Sequence, residues 1–491
     1  MDNLDLSTYY SLLHQSSSLG HGIPIGQDNS GNRLYSPPER PVLILGPSRS
    51  GKTTSVIIPS ILAASGAVVS TSTKPDVLMA TSRARSAIGT CWLFDPMGSL
   101  PSLQGKGGLN TLRWSPVNAS NTFEDAIRVT RNLVLSSHGS PLGNESFHWI
   151  ERAQALISPL LYGAKLGNYS MEEVSNAIVT RDITSLAEKI EQLDPSSRAL
   201  MTLRGLLSTE PRELSGIFST ASGVISAYNS QAAINSSKNS NFSPSAFVNS
   251  SDTLYVASPS DEQHLVAPLV SSLIDEIKHC AYKRFESQHL QSLPINTFKR
   301  APLLLALDEV AQTAPLPGLT SLIAEGGGQG VVTIACLQDL SQAKARLGQE
   351  AEGFLTLFPI KLIFPGISDR KTIEDISVLS GDRDVIKKSI SQGLGGKQAL
   401  VTTLSAMARL PVKAPASSGS NSVTYSTTKE RNLPPDAVSR GYKDSLLVIA
   451  SGTEPRFVKT LPWYRDREIS KLVYGLPERQ NDKSIANSLT R

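Results

Sequence analysis

The sequence predicts an α/β fold with a mainly parallel, twisted sheet covered by helices on both faces and an inserted all-α domain. Short apolar runs such as Pro41–Leu45 and Leu303–Leu307 alternate with segments of helical period. Such runs are typical of strands buried in a parallel sheet. From residue 122 to 228 the pattern becomes helical, with almost no strand signal. This block therefore interrupts an α/β domain of the nucleotide-binding type.

The composition fits a soluble protein of several domains. The chain has 491 residues, of which 40% are hydrophobic and 18% charged. Its net charge is only +4, but residues 370–491 carry twenty Lys/Arg against twelve Asp/Glu. That surplus of positive charge has two interpretations. One is a site that binds a partner rich in phosphate groups, such as nucleic acid, and the other is simply a solvated basic surface. Three scattered cysteines, no signal peptide and no apolar stretch of spanning length indicate a cytoplasmic protein without a transmembrane segment of its own.

The chain divides into four predicted parts. Residues 1–40 are a polar leader, 41–121 and 252–465 form the α/β domain, 122–251 form the all-α insertion, and 466–491 are a polar tail. A Ser/Asn-rich tract at 229–251 predicts a flexible linker, and a Ser/Gly-rich one at 415–428 a mobile stretch. Further strands are predicted at 67–70, 91–95, 254–257, 331–335, 360–364 and 446–449.

A phosphate-binding loop follows the first strand and opens a helix. The pattern G-x-x-x-x-G-K-[ST] lets backbone N–H groups surround phosphate oxygens, while its lysine meets the β- and γ-phosphates of ATP and its hydroxyl takes a Mg²⁺ position. We expect it to bind ATP and Mg²⁺ through Gly46, Pro47, Ser48, Arg49, Ser50, Gly51, Lys52, Thr53 and Thr54.

Two carboxylates, Asp308 and Glu309, end the strand at 303–307. In P-loop ATPases the first such carboxylate holds the magnesium shell, and the second orients or deprotonates the attacking water. Asp95, at the end of another strand, is the main rival for the magnesium role, but no second carboxylate follows it. Gln338 ends the strand at 331–335 and is either a sensor of the γ-phosphate or part of a simple strand-to-helix turn.

Four stretches resemble a known family in the same order along the chain. They are the phosphate loop with Ser55–Pro59, residues 68–116 with Trp92–Pro96, the region from Leu305 to Gln342 with Pro317–Leu319 and Gln329–Gly330, and a tail with Arg431–Asp436 and Leu461–Tyr464. The third is the most specific. In these stretches the chain is similar to the type IV secretion coupling proteins, the TraG-like ATPases of conjugative DNA transfer.

The resemblance implies a RecA-like P-loop NTPase core that assembles as a homo-hexamer around single- or double-stranded DNA, in an ATP- or DNA-dependent way. It implies delivery of a DNA–relaxase complex, or of effector proteins, to a type IV secretion channel. It also favours Gln338 as the γ-phosphate sensor, beside Lys52 and Glu309 as catalytic groups. An arginine from the neighbouring subunit completes such sites, and Arg370 and Arg383 are both candidates.

The chain departs from the family in two places. Members normally begin with transmembrane helices, which this sequence lacks, so we expect a separate membrane subunit to recruit the protein to the inner face of the membrane. Ser72–Asp76 also replaces the usual Asp-Pro-Lys-Gly-Glu type of segment.

Two other functions share the ATP site. A soluble DNA pump of the FtsK or HerA type needs no secretion channel, and the third stretch argues against it. A nucleotide-gated adaptor presents substrates without pumping them, and it would not need Glu309.

Overall fold

The computed structural model describes residues 22–72, 74–103, 108–138, 144–257, 263–291, 301–310, 316–347, 351, 353–392 and 421–474. They fall into two compact units. The first comprises the chain up to Thr372 and from Arg440 onwards, and the second is Ile373–Ser439.

Strands of the first unit form one large sheet, and those of the second form a ribbon. In chain order they are β1 (Pro24–Gln27), β2 (Arg33–Tyr35), β3 (Val42–Leu45), β4 (Val68–Ser72), β5 (Cys91–Phe94), β6 (Leu109–Thr111), β7 (Thr253–Ala257), β8 (Leu303–Leu307), β9 (Val331–Leu337), β10 (Ile360–Ile363), β11 (Asp382–Gln392), β12 (Asn421–Arg431), β13 (Ser445–Ala450) and β14 (Arg456–Lys459). Twelve of these described strands form the sheet, in the order β2-β1-β14-β13-β10-β3-β9-β8-β4-β7-β5-β6.

The eight strands from β10 to β6 in that order are paired in parallel throughout. Every residue of β3, β8 and β10 is buried, which explains why these strands are continuous apolar runs rather than alternating ones. The α/β fold predicted from the sequence is confirmed. Because parallel strands all end at one edge of the sheet, the residues that follow β3, β8 and β9 meet there.

The other edge of the sheet is antiparallel and includes part of the predicted leader. β10 pairs with β13, β13 with β14, and β14 with β1, which pairs in turn with β2. The prediction that residues 1–40 only lead into the first strand is therefore wrong for β1 and β2. β1 does not show the hydrophobic pattern of a strand, partly because it contains Gly26. Glycine is needed at this position, since a Cβ there would lie 2.3 Å from the carbonyl oxygen of Lys459.

Helices cover both faces of the sheet. After a π-helical turn (Thr53–Ile57), those of the first unit begin with α1 (Ile58–Ala63) and α2 (Asp76–Arg85), and the insertion contributes α3 (Phe123–His138), α4 (Asn144–Leu166), α5 (Met171–Thr180), α6 (Thr184–Leu193), α7 (Arg198–Leu207), α8 (Pro211–Val224), α9 (Gln231–Ser237) and α10 (Pro244–Val248). Later come α11 (Gln263–Gln291), α12 (Leu319–Glu325), α13 (Leu340–Leu347) and α14 (Phe354–Leu357). Short 3-10 turns lie at Ser226–Asn229 and Gly327–Gln329. Pro268 lies inside α11, which begins before it rather than after it.

The Ser/Asn-rich tract predicted as a flexible linker is folded. It contains α9 and α10, and the Ser243 hydroxyl accepts from the Ala246 N–H to cap α10. Phe242 and Phe247 are buried, with ring centroids 5.2 Å apart. Ser243 thus caps a helix although serine indicates a linker by composition, and Phe242 joins the segment to β5 through an edge-to-face contact with Trp92.

The second unit is small. It holds most of α15 (Arg370–Leu379) and of α16 (Pro435–Arg440), and it carries β11 and β12, which pair antiparallel over eleven residues each. The stretch predicted as mobile at 415–428 overlaps β12 from Asn421, so that part of the prediction is wrong, and its remainder lies outside the described residues.

The chain after Asp466 is not simply a polar tail. α17 (Arg467–Tyr474) buries Ile469 and Leu472 in the same hydrophobic core cluster as residues of α1 and α2. Its apolar residues lie on one side of an otherwise polar helix. The average composition of the segment is therefore polar and does not indicate that one side is buried. Residues 475–491 lie outside the described part. Within the described helices, none has both the length and the apolar character needed to cross a bilayer.

Candidate nucleotide-binding site

The predicted phosphate loop lies at the carboxyl end of β3. The Gly46 N–H donates to the carbonyl of Leu337 on the neighbouring β9, at 3.2 Å. Gly51 has a φ of 95°, a left-handed conformation that glycine adopts readily. A Cβ at Gly46 would lie 2.6 Å from the Cβ of Phe364. Both glycines of the motif are therefore required by the backbone and by its neighbours.

Lys52 is the buried cation of the loop. Its Nζ donates to the carbonyl oxygens of Gly46, at 2.5 Å, and Pro47, at 2.8 Å. Its side chain is almost fully buried, at 8% exposure. The ammonium group thus lies inside the loop, held by weak neutral acceptors that an anionic phosphate oxygen can replace with a stronger charge-assisted bond.

Thr53 and Asp308 meet although 255 residues separate them. The Thr53 hydroxyl donates to Oδ2 of Asp308 at 3.0 Å. The strand order explains the contact, because β8 is the second strand from β3, with only β9 between them. The structure therefore brings the loop and the first of the two predicted carboxylates to one point.

Burial raises the pKa of Asp308 to about 6. The hydrogen bond from Thr53 and the positive charge of Lys52 oppose this rise, whereas the charges of Glu309 and Asp76 add to it. A buried carboxylate with a raised pKa is under-compensated, because its contacts in the fold do not fully replace its lost hydration. A cation placed beside it would make up that deficit.

Glu309 follows directly in a left-handed conformation, with φ at 52°. This conformation is uncommon for glutamate and ends the strand immediately after Asp308. The residue is half-buried, whereas Asp308 is 9% exposed. The two carboxylates that the sequence places side by side therefore have different environments.

Gln338 lies at the end of β9, between the strands that carry the loop and Asp308. Its backbone N–H donates to Oε1 of Gln342 at 3.0 Å. Two residues on, the Leu340 N–H donates to the Thr372 hydroxyl, which donates in turn to Asp369 at 2.6 Å. The turn after Gln338 is thus hydrogen-bonded to the beginning of α15.

The remaining predicted residues lie elsewhere. Asp95 ends β5, the fifth strand from β3, and its two carboxylate oxygens accept from the N–H groups of Ser99 and Leu100. This geometry makes Asp95 a turn-capping residue. Arg370 begins α15 in the first unit, whereas Arg383 lies on β11 in the second.

Three neighbours of the site were not predicted as such. Asp76 begins α2 near Asp308, Phe364 packs against the loop glycines, and the Trp463 N–H donates to the Thr54 carbonyl at 2.9 Å. Trp463 belongs to a stretch that carried the family resemblance, but no pattern in the sequence indicates that this stretch lies beside the loop.

Comparison with known proteins places the chain in a family. A sequence model of the family described as "Type IV secretory system Conjugative DNA transfer" matches residues 21–488. Two conjugal transfer proteins TraG of Escherichia coli are each 23% identical, over 399 and 401 residues. These alignments cover 75% and 77% of this chain but only 60% and 61% of the relatives, so the chain spans about three fifths of their length.

Solved structures share the fold. The unbound bacterial conjugative coupling protein TrwBdeltaN70 superposes with a TM-score of 0.64 at 18% identity, over 93% of this chain and 92% of its own. Plasmid coupling protein TrwB in complex with ADP and Mg²⁺ superposes with a TM-score of 0.62 at 18% identity, over 89% of each chain. With its phosphate loop, its sheet order and a family match over nearly its whole length, the chain belongs to the type IV secretory system conjugative DNA transfer family.

Proposed function

We propose that this chain is an ATP-hydrolysing coupling protein that moves DNA, or a DNA–protein complex, to a type IV transfer channel. The observation that carries the proposal is the Thr53–Asp308 hydrogen bond beside the buried Lys52. It joins a phosphate-binding loop to a carboxylate at one edge of the sheet. That pairing is what hydrolysis of Mg²⁺·ATP requires.

The residues at this edge fit a magnesium nucleotide. A hydroxyl and a carboxylate oxygen are the hard ligands that Mg²⁺ prefers, and Mg²⁺ is usually held by one or two such protein groups plus phosphate oxygens. The under-compensated charge of Asp308 supports a cation at this point. The TrwB structures in complex with ADPNP and with ADP and Mg²⁺ support the same assignment. When bound, Mg²⁺ neutralises phosphate charge and fixes the phosphates in line for attack.

Each residue then has one role. Lys52 exchanges the carbonyls of Gly46 and Pro47 for β- and γ-phosphate oxygens, and the loop residues from Ser48 onwards offer their N–H groups. Thr53 and Asp308 hold the magnesium shell. Glu309 orients the attacking water and accepts its proton. Gln338 senses the γ-phosphate, and its hydrogen-bonded turn passes the change to α15.

The working assembly is a homo-hexamer around DNA, with Arg370 or Arg383 completing the site of the neighbouring subunit. Such an arginine is worth about 10³ to 10⁵ in rate. A separate membrane subunit or the channel itself recruits the ring, and a relaxase or effector protein is the cargo.

The test is an ATPase assay with and without single- and double-stranded DNA, run beside size analysis in ATP. Wild type and Glu309→Gln are compared for phosphate release and for movement along a labelled duplex. Asp182→Asn, an exposed carboxylate of the insertion, is the matched control. We expect DNA-stimulated turnover that falls with salt, is lost in Glu309→Gln and is unchanged in the control. A wild type that binds ATP but releases phosphate no faster than Glu309→Gln would instead be a nucleotide-gated adaptor.

A further inference from the structure

The second unit contains a long two-stranded ribbon. It consists of β11 and β12, paired antiparallel over eleven residues each. Its root is fixed by hydrogen bonds: the Asn432 N–H donates to Gly381, and the Ser377 hydroxyl donates to Leu433. The ribbon is therefore anchored at the end of α15.

The side chains that the structure describes on the ribbon are not covered within its unit. All described side chains from Asp382 to Lys387 and from Tyr425 to Arg431 are exposed or half-buried. Ile386 is 69% exposed and Tyr425 65%. The register places both on one face, because Ile386 lies opposite Thr427 and alternate residues share a face. An isolated two-stranded ribbon is marginally stable in water, so such exposure calls for a partner.

The chemistry of the ribbon suits a polyanion. Its two strands carry five Lys/Arg and three Asp/Glu, and seven of their twenty-two residues are Ser or Thr. Two of the acids are already paired, Asp382 with Arg431 at 2.9 Å and Glu430 with Lys387 at 2.8 Å. The basic surplus therefore remains available. Hydroxyl, lysine and arginine groups are the usual donors to DNA phosphates.

Charge along the chain is concentrated in the same region. Residues 382–431 contain eight Lys/Arg and three Asp/Glu, a net +5, whereas the whole chain has a net charge of +4. All the rest of the protein is thus slightly acidic. Five of the eight surplus positive charges in the last quarter of the sequence lie in the ribbon and in the residues between its strands.

The dimensions also match duplex DNA. Eleven residues of strand extend about 36 Å, close to one helical turn of the duplex. Two strands lie about 5 Å apart, and the major groove, about 12 Å wide, admits a two-stranded ribbon. A second protein chain is a poorer occupant, because permanent subunit interfaces are apolar and depleted in charge.

We propose that β11 and β12 form a DNA-binding ribbon that lies in the major groove, with Lys429 contacting a phosphate and Ile386 and Tyr425, on the same face, contacting the groove. This inference rests on the proposed function, since it assumes that DNA is the transported polymer. It assigns DNA contact to residues that have no proposed role at ATP.

The test uses the full chain with Mg²⁺·ATP and a short labelled duplex, and measures affinity at several salt concentrations. Lys429→Gln removes one phosphate contact, whereas the control Lys471→Gln removes one exposed charge from α17. We expect the ribbon variant to bind about 3-fold more weakly and to lower the salt slope by about 1, with the control variant and basal ATP turnover unchanged. Tyr425→Ser should also weaken binding, and Tyr425→Phe should restore it.

The outcomes separate this inference from the proposed function. Equal DNA affinity of wild type and the ribbon variant would overturn the ribbon alone. A wild type that binds no DNA in ATP would overturn both. A ribbon variant that keeps its DNA affinity but loses self-association on sizing would show that a second copy of the chain is the partner, and would also overturn the inference.

Discussion

Replacing Asp308 by asparagine should stabilise the nucleotide-free protein while destroying its response to Mg²⁺·ATP. Burial raises the pKa of this carboxyl from 3.8 to about 6. A pKa difference of one corresponds to about 1.4 kcal/mol, so keeping the charged form in the fold costs about 3 kcal/mol at neutral pH. Asparagine removes the charge and still accepts from the Thr53 hydroxyl, but its NH₂ group must be accommodated where a carboxylate oxygen was, which offsets part of the gain. We therefore expect a net gain of about 1 to 2 kcal/mol.

The sign of the pH dependence follows from the raised pKa. Because the folded pKa lies above the unfolded one, wild type begins to lose stability as pH rises through 3.8 and has lost the full amount above about 6. The variant has no such loss. Its advantage should therefore grow by about 1 to 2 kcal/mol between pH 5 and pH 7 and then level off.

Thermal unfolding in EDTA, followed from pH 5 to 8, measures this advantage. At pH 7.5 the unfolding midpoint of the variant should be about 1 to 2 °C higher. Saturating Mg²⁺·ATP should raise the wild-type midpoint, because ligand at 100 times its dissociation constant adds about 2.7 kcal/mol, and should not raise that of the variant. Asp182→Asn is the control, because hydrogen bonding from Thr184 lowers the pKa of Asp182 and its charged form is already favoured. A variant less stable than wild type at pH 7.5, or an advantage independent of pH, would refute the reasoning.

Three further substitutions test the site and its surroundings. Lys52→Ala should abolish the thermal shift in Mg²⁺·ATP and lower phosphate release to background, and turnover equal to wild type would disprove the site. Gly46→Ala should cost about 1 to 3 kcal/mol and weaken ATP binding, because its Cβ would lie 2.6 Å from that of Phe364; Gly328→Ala, with open space around its Cα, is the control for the midpoint. Leu472→Ala should cost about 2 to 4 kcal/mol in urea unfolding, since α17 buries this side chain at 2% exposure, and a neutral result would mean that the segment is not packed.

The central strands of the sheet were predicted correctly, whereas two strands and a helix at its periphery were missed. The apolar runs at Val42–Leu45, Leu303–Leu307 and Val331–Leu337 predicted central strands because both faces of these strands are buried. β1, β2 and α17 were missed because they are short or only half apolar. Their stability comes from contacts with distant segments, such as the ion pair of Arg33 with Asp466. Patterns read over a short stretch of sequence cannot reveal contacts between residues so far apart in the chain.

The phosphate loop could be predicted from its residues alone. Its eight residues are contiguous, and the reasons for glycine, lysine and threonine lie in local backbone geometry and in phosphate chemistry. The partner of Thr53 could not be chosen in this way. Asp95 and Asp308 both end apolar strands, and the order of the strands in the sheet places Asp308 two strands from β3 and Asp95 five strands away. Strand order is set by how helices and crossovers pack over the whole domain. The adjacent Glu309 favoured Asp308 over Asp95 in the sequence, but the contact with the loop itself is decided by long-range packing, because a local pattern does not contain the order of the strands.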